Sequence, residues 1–285
     1  MNFQKIRLAA GLYFIATPIG TARDITLRAL DVLASADVIA AEDTRSLRRL
    51  MDIHGVPLGG RRLLAYHDHS GTNARSKLVE ALDAGHSVAY ASEAGMPLIA
   101  DPGYELGKQA AEAGHIVTCA PGPSAALTAL TLAGLPTDAF FFAGFLPSAK
   151  GARRTRIGVL RDIPGTLVIY ESPKRVAASL SDLAVVLGAE RRAALCRELT
   201  KKFEEVKRGT LGELAEHLKG TSIKGEVVLL VDRGHSPNVK DSDIERALQQ
   251  ALETHSVRDA ADLVSEMFKL PRRSIYQKAL KIGKE

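Results

Sequence analysis

Cysteine is nearly missing: Cys119 and Cys196 are the only two in 285 residues. Each sits beside or inside an apolar run, which suits buried reduced thiols and argues against a disulfide framework or a cysteine-based metal site. Long apolar runs are missing too. No stretch approaches the roughly 20 residues that a membrane-spanning helix needs. The opening MNFQKIRLAAG has neither the apolar core nor the cleavage site of a secretory signal. The expectation is a cytoplasmic protein with no membrane partner. Several catalytic signatures are also absent: GxxxxGK followed by Ser or Thr, HExxH, CxxC and GxSxG do not occur. Their absence removes most of the weight from nucleotide-hydrolase, metalloprotease, dithiol-redox and serine-hydrolase readings. His67 and His69 have no cysteine nearby and no third ligand in sequence, so no metal is expected.

What is present is ordinary for a soluble globular chain. With 46% hydrophobic and 25% charged residues, it can bury the core of one large or two medium domains. The net charge of +5 is modest, but its distribution is uneven. The acid-free segment 147–161 carries Lys150, Arg153, Arg154, Arg156 and Arg161, and the acid-free segment 267–284 carries Lys269, Arg272, Arg273, Lys278, Lys281 and Lys284. Such clusters suit a polyanion such as RNA, or else form solvated helix faces.

Short β-branched or aromatic runs alternate with longer amphipathic segments, the signature of an α/β protein. A strand over 11–16 ends in TPIG (17–20), and a helix follows over 24–35. A strand over 37–41 ends in EDTR (42–45), whose two carboxylates could cap the basic helix that follows or face a ligand. A strand is expected over 63–67, a helix over 73–84, and a strand over 87–91 that feeds ASEAGMPLIADPG (91–103). Asp101 is expected to cap a helix over 102–113. A strand over 115–120 ends in PGPSA (121–125), which opens a helix through 133. Three glycine/proline loops after three strands indicate a pocket along one edge of a mostly parallel sheet. The turn-rich break at 135–138 divides a first α/β domain, 1–136, from a second, 137–234. In the second, strands are expected over 139–145, 166–170, 193–197 and 227–232, a helix to 187 and another over 211–218, with 197–205 a charged connection. A linker over 235–240 leads to a C-terminal domain, 241–285, of three short helices resembling a helix-turn-helix.

Taken in order, ATPIG (16–20), AEDTR (41–45), the 91–103 stretch, PGPSA (121–125), ESPKR (171–175), RELTK (197–201) and KGE (224–226) resemble the bacterial 16S ribosomal RNA ribose 2′-O-methyltransferases of the tetrapyrrole-methylase superfamily. The tail, with Asp259-Ala260-Ala261 and Pro271-Arg272-Arg273 before Tyr276, resembles the carboxy-terminal domain of that family. The resemblance implies two α/β domains of the tetrapyrrole-methylase type with a cofactor cleft between them, a small C-terminal helical domain, and a homodimer. It also implies S-adenosyl-L-methionine as cofactor, and a cytidine of the decoding region of 16S ribosomal RNA, in the small ribosomal subunit, as substrate. Carried over residue by residue, it implies a cofactor site at Pro18, Ser92, Ala94, Gly95, Ile99, Ala100, Pro121, Ser124 and Ala125, completed by ESPKR, RELTK and KGE. The 2′-hydroxyl is a weak nucleophile, so acids and amines at the loop ends are candidates to take its proton: Asp43, Glu93, Glu171 and Lys201. Arg45, Lys174 and Arg175 are expected at phosphate or dimer contacts, with Lys150, Arg153 and Arg154 of the first basic segment at RNA.

The chain departs from the family pattern in two stretches. It has Ser92-Glu93-Ala94-Gly95 where Ser-Asp-Ala-Gly is usual, and His67-Asp68-His69-Ser70 where an acidic residue and an Asn-Glu pair are common. Glu93 keeps the charge but reaches about one methylene further. Two other readings share features with this one. A precorrin-type C-methyltransferase would need neither basic clusters nor a helical tail, and a decayed RNA-binding ribosome assembly factor would not need the intact glycine/proline loops.

Overall fold

The alternation of apolar runs and amphipathic segments resolves, in the computed structural model, into two five-stranded sheets and a separate helical unit. The structure describes residues 2–67, 71–234, 241–268, 270 and 272–283. The first sheet takes β1 (Gly11–Ile15), β2 (Val38–Ala41), β3 (Arg62–Ala65), β4 (Ser87–Ala91) and β5 (Val117–Ala120) in the order β3-β2-β4-β1-β5. All its pairings are parallel. Parallel neighbours need long crossovers, which α1 (Leu27–Ser35), α2 (Thr44–Ile53), α3 (Gly71–Asp83) and α4 (Tyr104–Glu112) supply.

The two-residue period of a strand divides this sheet's side chains between two cores. Tyr13, Ile15, Ala89 and Ala91 meet Leu30 and Leu33 of α1 and Leu47 and Met51 of α2. Leu12, Phe14, Val88 and Tyr90 meet Leu78 of α3 and Leu106 of α4. Because β1 and β4 are buried on both faces, they read as unbroken apolar runs. Helix α1 begins at Leu27 rather than 24, since the Thr26 side chain accepts a hydrogen bond from the Ala29 amide and a short 3-10 turn, Ala22–Asp24, comes before it. Helix α4 begins at Tyr104 and has no side-chain cap, so the expectation that Asp101 caps it is corrected. Gly103 turns the chain into this helix at φ 118°, where a Cβ would meet Leu98 and Tyr90.

Helix α5 (Ala125–Ala133, AALTALTLA) carries no charge and is mostly apolar, so it has to bury a face, although Leu127 and Thr131 stay exposed. It leaves the first sheet and packs on the second, where Ala126, Ala129, Leu130 and Ala133 join Val168, Ala194, Cys196 and Leu230. The second sheet takes β6 (Phe140–Phe145), β7 (Thr166–Glu171), β8 (Arg192–Arg197), β9 (Glu205–Thr210) and β10 (Val227–Val231) in the order β6-β7-β10-β8-β9. Only β6 and β7 run parallel. Its other face is covered by α6 (Lys150–Leu160), α7 (Val176–Leu187) and α8 (Leu211–Leu218) through Ile157, Leu160, Leu180, Leu183, Leu211 and Leu214. Strand β9 begins at Glu205, the last residue of the stretch expected to be a charged connection, and runs on where no strand was expected. It is an edge strand reading EVKRGT, and edge strands carry charge that obscures their alternation.

Residues Met1–Asp232 form one compact unit containing both sheets, and Arg233–Glu285 a second. In the second, α9 (Asp241–Leu252), α10 (Val257–Phe268) and α11 (Arg272–Ile282) enclose Ile244, Leu248, Ala260, Val264 and Ile275. Arg272 is ion-paired with Asp262, and Lys278 with Asp241 at 2.8 Å, which takes two cations of the basic tail out of circulation. Lys269, Lys284 and the linker 235–240 lie outside the described residues. Among the described residues, no helix is long and apolar enough to cross a membrane.

Candidate functional site

In a parallel sheet every carboxyl end lies on one edge, so the loops after β1, β4 and β5 emerge side by side. The first two are stitched together. Thr17 and Gly95 exchange both backbone hydrogen bonds at 3.0 Å, the Thr17 hydroxyl donates to the Ser92 carbonyl at 3.2 Å, and the Ser92 hydroxyl donates to the Gly95 carbonyl at 2.8 Å. Further along, Leu98 (φ 70°) and Ala100 (φ 63°) hold left-handed backbone without being glycine. Strain of that kind persists where the surroundings impose it and clusters at ligand clamps. Facing this edge, the loop after β8 carries two more such residues, Glu198 (φ 52°) and Thr200 (φ 63°). The two sides touch at Gly20, where any Cβ would collide with Thr200 and Lys201, and the Thr21 amide donates to Thr200 Oγ1 at 3.2 Å.

Between them lies a cavity of about 620 Å³. Pro18, Ala94, Gly95, Ile99, Ala100, Ser124 and Ala125 line it from the first sheet's side, among residues expected there. Two expected residues do not. Ser92 is buried and spends its hydroxyl bracing the loop, lining only the adjoining cavity, and Pro121 is exposed outside the wall. From the second sheet's side come Glu226, of the KGE segment expected to complete the site, and two residues the sequence reading missed, Phe145 and Tyr170. The Tyr170 ring meets Phe142 and Phe145 edge-on at 4.9 and 5.8 Å, and its hydroxyl accepts the Ala126 amide at 3.2 Å. An aromatic residue at the last apolar position of a strand, just before ESPKR, was the available signal.

The charged lining is lopsided. Glu42, Glu93, Asp101, Glu171 and Glu226 stand against one cation, Lys201, which lies 3.0 Å from both Glu198 and Glu226. Burial pulls the Lys201 ammonium down, but its bonds to those two carboxylates outweigh it and leave the pKa above the ordinary lysine value. Lys201 therefore stays protonated and cannot serve as a base, which corrects one expectation. Glu171 corrects a second. It lines the cavity, but its enclosed carboxylate accepts from the Ser172 amide (2.8 Å), the Ser179 hydroxyl (2.6 Å) and Arg175 (3.2 Å), so it is spent tying the ESPKR turn together. Arg175, bound to Glu171 and to the Leu146 carbonyl, is likewise committed and not available to phosphate.

Asp43 caps α2, accepting from the Arg45 and Ser46 amides at 2.7 and 3.3 Å. The Arg45 side chain and then those amides hold its carboxyl below the usual range, so it is a poor proton acceptor. Arg153 was expected at RNA but is buried, with its guanidinium 2.6 Å from Asp182. Arg154 shares that carboxylate at 2.6 Å from a half-open position, while Arg45, Lys150 and Lys174 are exposed. Glu93 remains. Burial against the cleft wall, then the charges of Glu42, Asp43 and Glu226, push its carboxyl above the ordinary glutamate value, with Arg45 opposing. Of the expected acid–base groups that line the cavity, Glu93, Glu171 and Lys201, it is the one not tied up by partners and with its carboxyl shifted toward holding a proton.

Cys196 is buried and its thiol is pushed up to about 11, and Cys119 is raised by burial as well, so neither is an activated nucleophile. Among the described residues, no group of three or more His, Cys, Asp or Glu is gathered to hold a metal. His69 lies outside those residues.

A parallel and a mixed sheet bridged by an apolar helix, with loops of both closing one cleft, make this a protein of the tetrapyrrole-methylase fold. The solved structure of uroporphyrin-III C-methyltransferase from Thermus thermophilus, complexed with S-adenyl homocysteine, shares that fold with a TM-score of 0.54 at 20% identity, over 78% of this chain and 97% of that one. Residues 11–215 match the tetrapyrrole (corrin/porphyrin) methylases, and residues 238–283 match the RsmI C-terminal HTH domain. The ribosomal RNA small subunit methyltransferase I of Mesorhizobium japonicum is 46% identical over 276 residues, covering 96% of this chain and 93% of that protein. Its counterpart in Escherichia coli O157:H7 is 41% identical over 273 residues, covering 94% of each. The chain belongs to the tetrapyrrole methylase family and, within it, to the ribosomal RNA small subunit methyltransferase I group.

Proposed function

We propose that the chain transfers a methyl group from S-adenosyl-L-methionine to the ribose 2′-oxygen of a cytidine in the decoding region of 16S ribosomal RNA, acting on the small ribosomal subunit in the cytoplasm. One observation carries the reading. In a chain matched along nearly all its length by ribosomal RNA small subunit methyltransferases, loops of both sheets close around a cavity whose carboxylate Glu93 is tuned to take a proton.

The cavity suits the cofactor in charge and in size. Five carboxylates, Glu171 paired with Arg175, against one neutralised lysine make an anionic lining for a sulfonium and an ammonium, and about 620 Å³ is within the range of small-molecule sites. Pro18, Ala94, Gly95, Ile99, Ala100, Ser124 and Ala125 would hold it. When bound there, S-adenosyl-L-methionine supplies an electrophilic methyl group. The chain contributes alignment, worth effective molarities of about 10⁵ M or more, through loops fixed by the Thr17–Gly95 bridge and the Ser92 brace. Glu93 accepts the 2′-hydroxyl proton. Lys201 holds Glu226 and Glu198 in register, and Arg45, Lys150, Arg154 and Lys174 offer exposed or half-open charge to phosphates.

The parts divide the work. The halves 1–136 and 137–234 form the two walls, and 241–285, beyond the linker 235–240, assists in holding RNA. The chain works as a homodimer, a state supported by the exposed apolar edges of the two sheets, Ile116 and Val117 on one and Phe140 and Phe141 on the other.

The test is methyl transfer from labelled cofactor to small subunits purified from cells lacking the modification, run beside a tetrapyrrole precursor. Label at the 2′-oxygen of one 16S cytidine is the expected result. Label on the macrocycle instead would make the protein a C-methyltransferase. No calorimetric binding of S-adenosyl-L-methionine would leave an RNA-binding assembly factor.

A further inference from the structure

Helix α2 presents a face that the fold leaves uncovered. Leu47 and Met51 go into the core. Ser46, Arg49 and Ile53, at the i, i+3, i+7 spacing of a single helix stripe, turn the other way, and half-buried Leu50 lies between, packing on the core and lining the second cavity. Ile53 is 57% exposed despite being one of the most apolar residues in the chain. Arg45 and Arg48, on the same helix, are bound to Asp43 and Asp52. The Arg49 side chain has neither a hydrogen bond nor an ion pair among the described residues.

These side chains form one wall of a second cavity, about 440 Å³, whose other wall is the loop of Thr17, Pro18 and Gly20. It opens into the first cavity, sharing Pro18, Gly20, Ser46 and Glu93 with it. Charge is segregated between the two. The first is lined by five carboxylates and one neutralised lysine, whereas the second has only Arg49 and Glu93 as charged lining. A cationic ligand suits the first. The second offers an aliphatic floor, a hydroxyl and an unpartnered guanidinium.

We propose that this second cavity seats the target nucleotide of the RNA, with its base against Leu50, Ile53 and Pro18, its phosphate on Arg49, and its ribose at the threshold beside Glu93. An unstacked nucleotide combines a flat apolar face, a sugar and one anion, which is the set of groups the wall can satisfy. A macrocycle carrying several carboxylates would ask for several cations, and the wall has one. The inference rests on the methyl-transfer reading given above and adds to it where the acceptor sits.

Two variants test it in the full-length protein, with small ribosomal subunits as methyl acceptor and calorimetry for S-adenosyl-L-methionine. Arg49→Ala should raise the KM for subunits about tenfold and lessen the slope of log KM against log salt by about one, the mark of a lost phosphate contact. Ile53→Trp, which fills the cavity, should cut transfer about a hundredfold. Both variants should bind the cofactor as tightly as wild type, which also shows that they are folded. Wild-type KM, salt slope and rate in both variants would overturn the assignment, as would a loss of cofactor affinity matching the loss of transfer. A wild-type protein that transfers no methyl group to subunits would instead overturn the methyl-transfer reading, and this subsite with it.

Discussion

A carboxylate that takes a proton near neutral pH works best when held above the ordinary glutamate range, and Glu93 is held there by burial and by Glu42, Asp43 and Glu226. Protonated Glu93 cannot accept, so kcat/KM should rise with pH through a one-proton step lying above the ordinary glutamate value and level off beyond it. Glu93→Gln should lower the rate by roughly 10² to 10⁴ and erase that acid limb. An unchanged limb in a pH–rate profile of the variant would give the role to another group. At this scale the sequence was only partly legible. Glycine, proline and their order marked the loop residues, because backbone needs select residue type. Partners did not show. Arg153 sits in a basic run, yet its spacing with Ile157 and Leu160 puts it on the buried stripe of α6, where Asp182 of α7 meets it. That spacing was the overlooked signal. Glu171 and Arg175 satisfy each other across the turn between β7 and α7, and a pair four apart reads the same in sequence whether it is enclosed or open.

Elements were more legible than partners because periodicity reports burial directly. Strands β1 and β4 and helix α5 stand out as apolar runs, whereas β9, polar and on an edge, does not. What periodicity could not reveal is which loop touches which. Gly20 and Thr200 lie far apart in the chain, and only the structure shows the first pressed against the second. Gly20→Val should push the two loops apart and weaken cofactor binding, with a loss of transfer approaching 10²-fold for a displacement near 1 Å. Gly151→Ala is the comparison, since an added methyl there meets nothing within 4 Å. Calorimetry and single-turnover rates on the two proteins would check this, and equal cofactor affinities would mean that the contact at Gly20 does not shape the cleft.

At the scale of the whole molecule, Met1–Asp232 and Arg233–Glu285 each enclose their own cores. A chain ending at Asp232 should therefore melt cooperatively and keep its affinity for S-adenosyl-L-methionine. Without exposed cations such as Arg273 and Lys281, its KM for small subunits should rise about tenfold and become less dependent on salt. A truncated enzyme with the full-length KM would show that the helical unit has no part in holding RNA. The order of motifs made the family legible from end to end, but the turn at 135–138 gives little hint that the helix just before it packs on the sheet that follows. Helix α5 is continuous in sequence with the first sheet and in packing with the second. A chain severed at that turn would leave an unshielded greasy rod on the wrong fragment, inviting aggregation. Severed at 121–123, the pieces would each keep their own hydrophobic surface covered, so that is where complementary halves meant to reassemble should be divided.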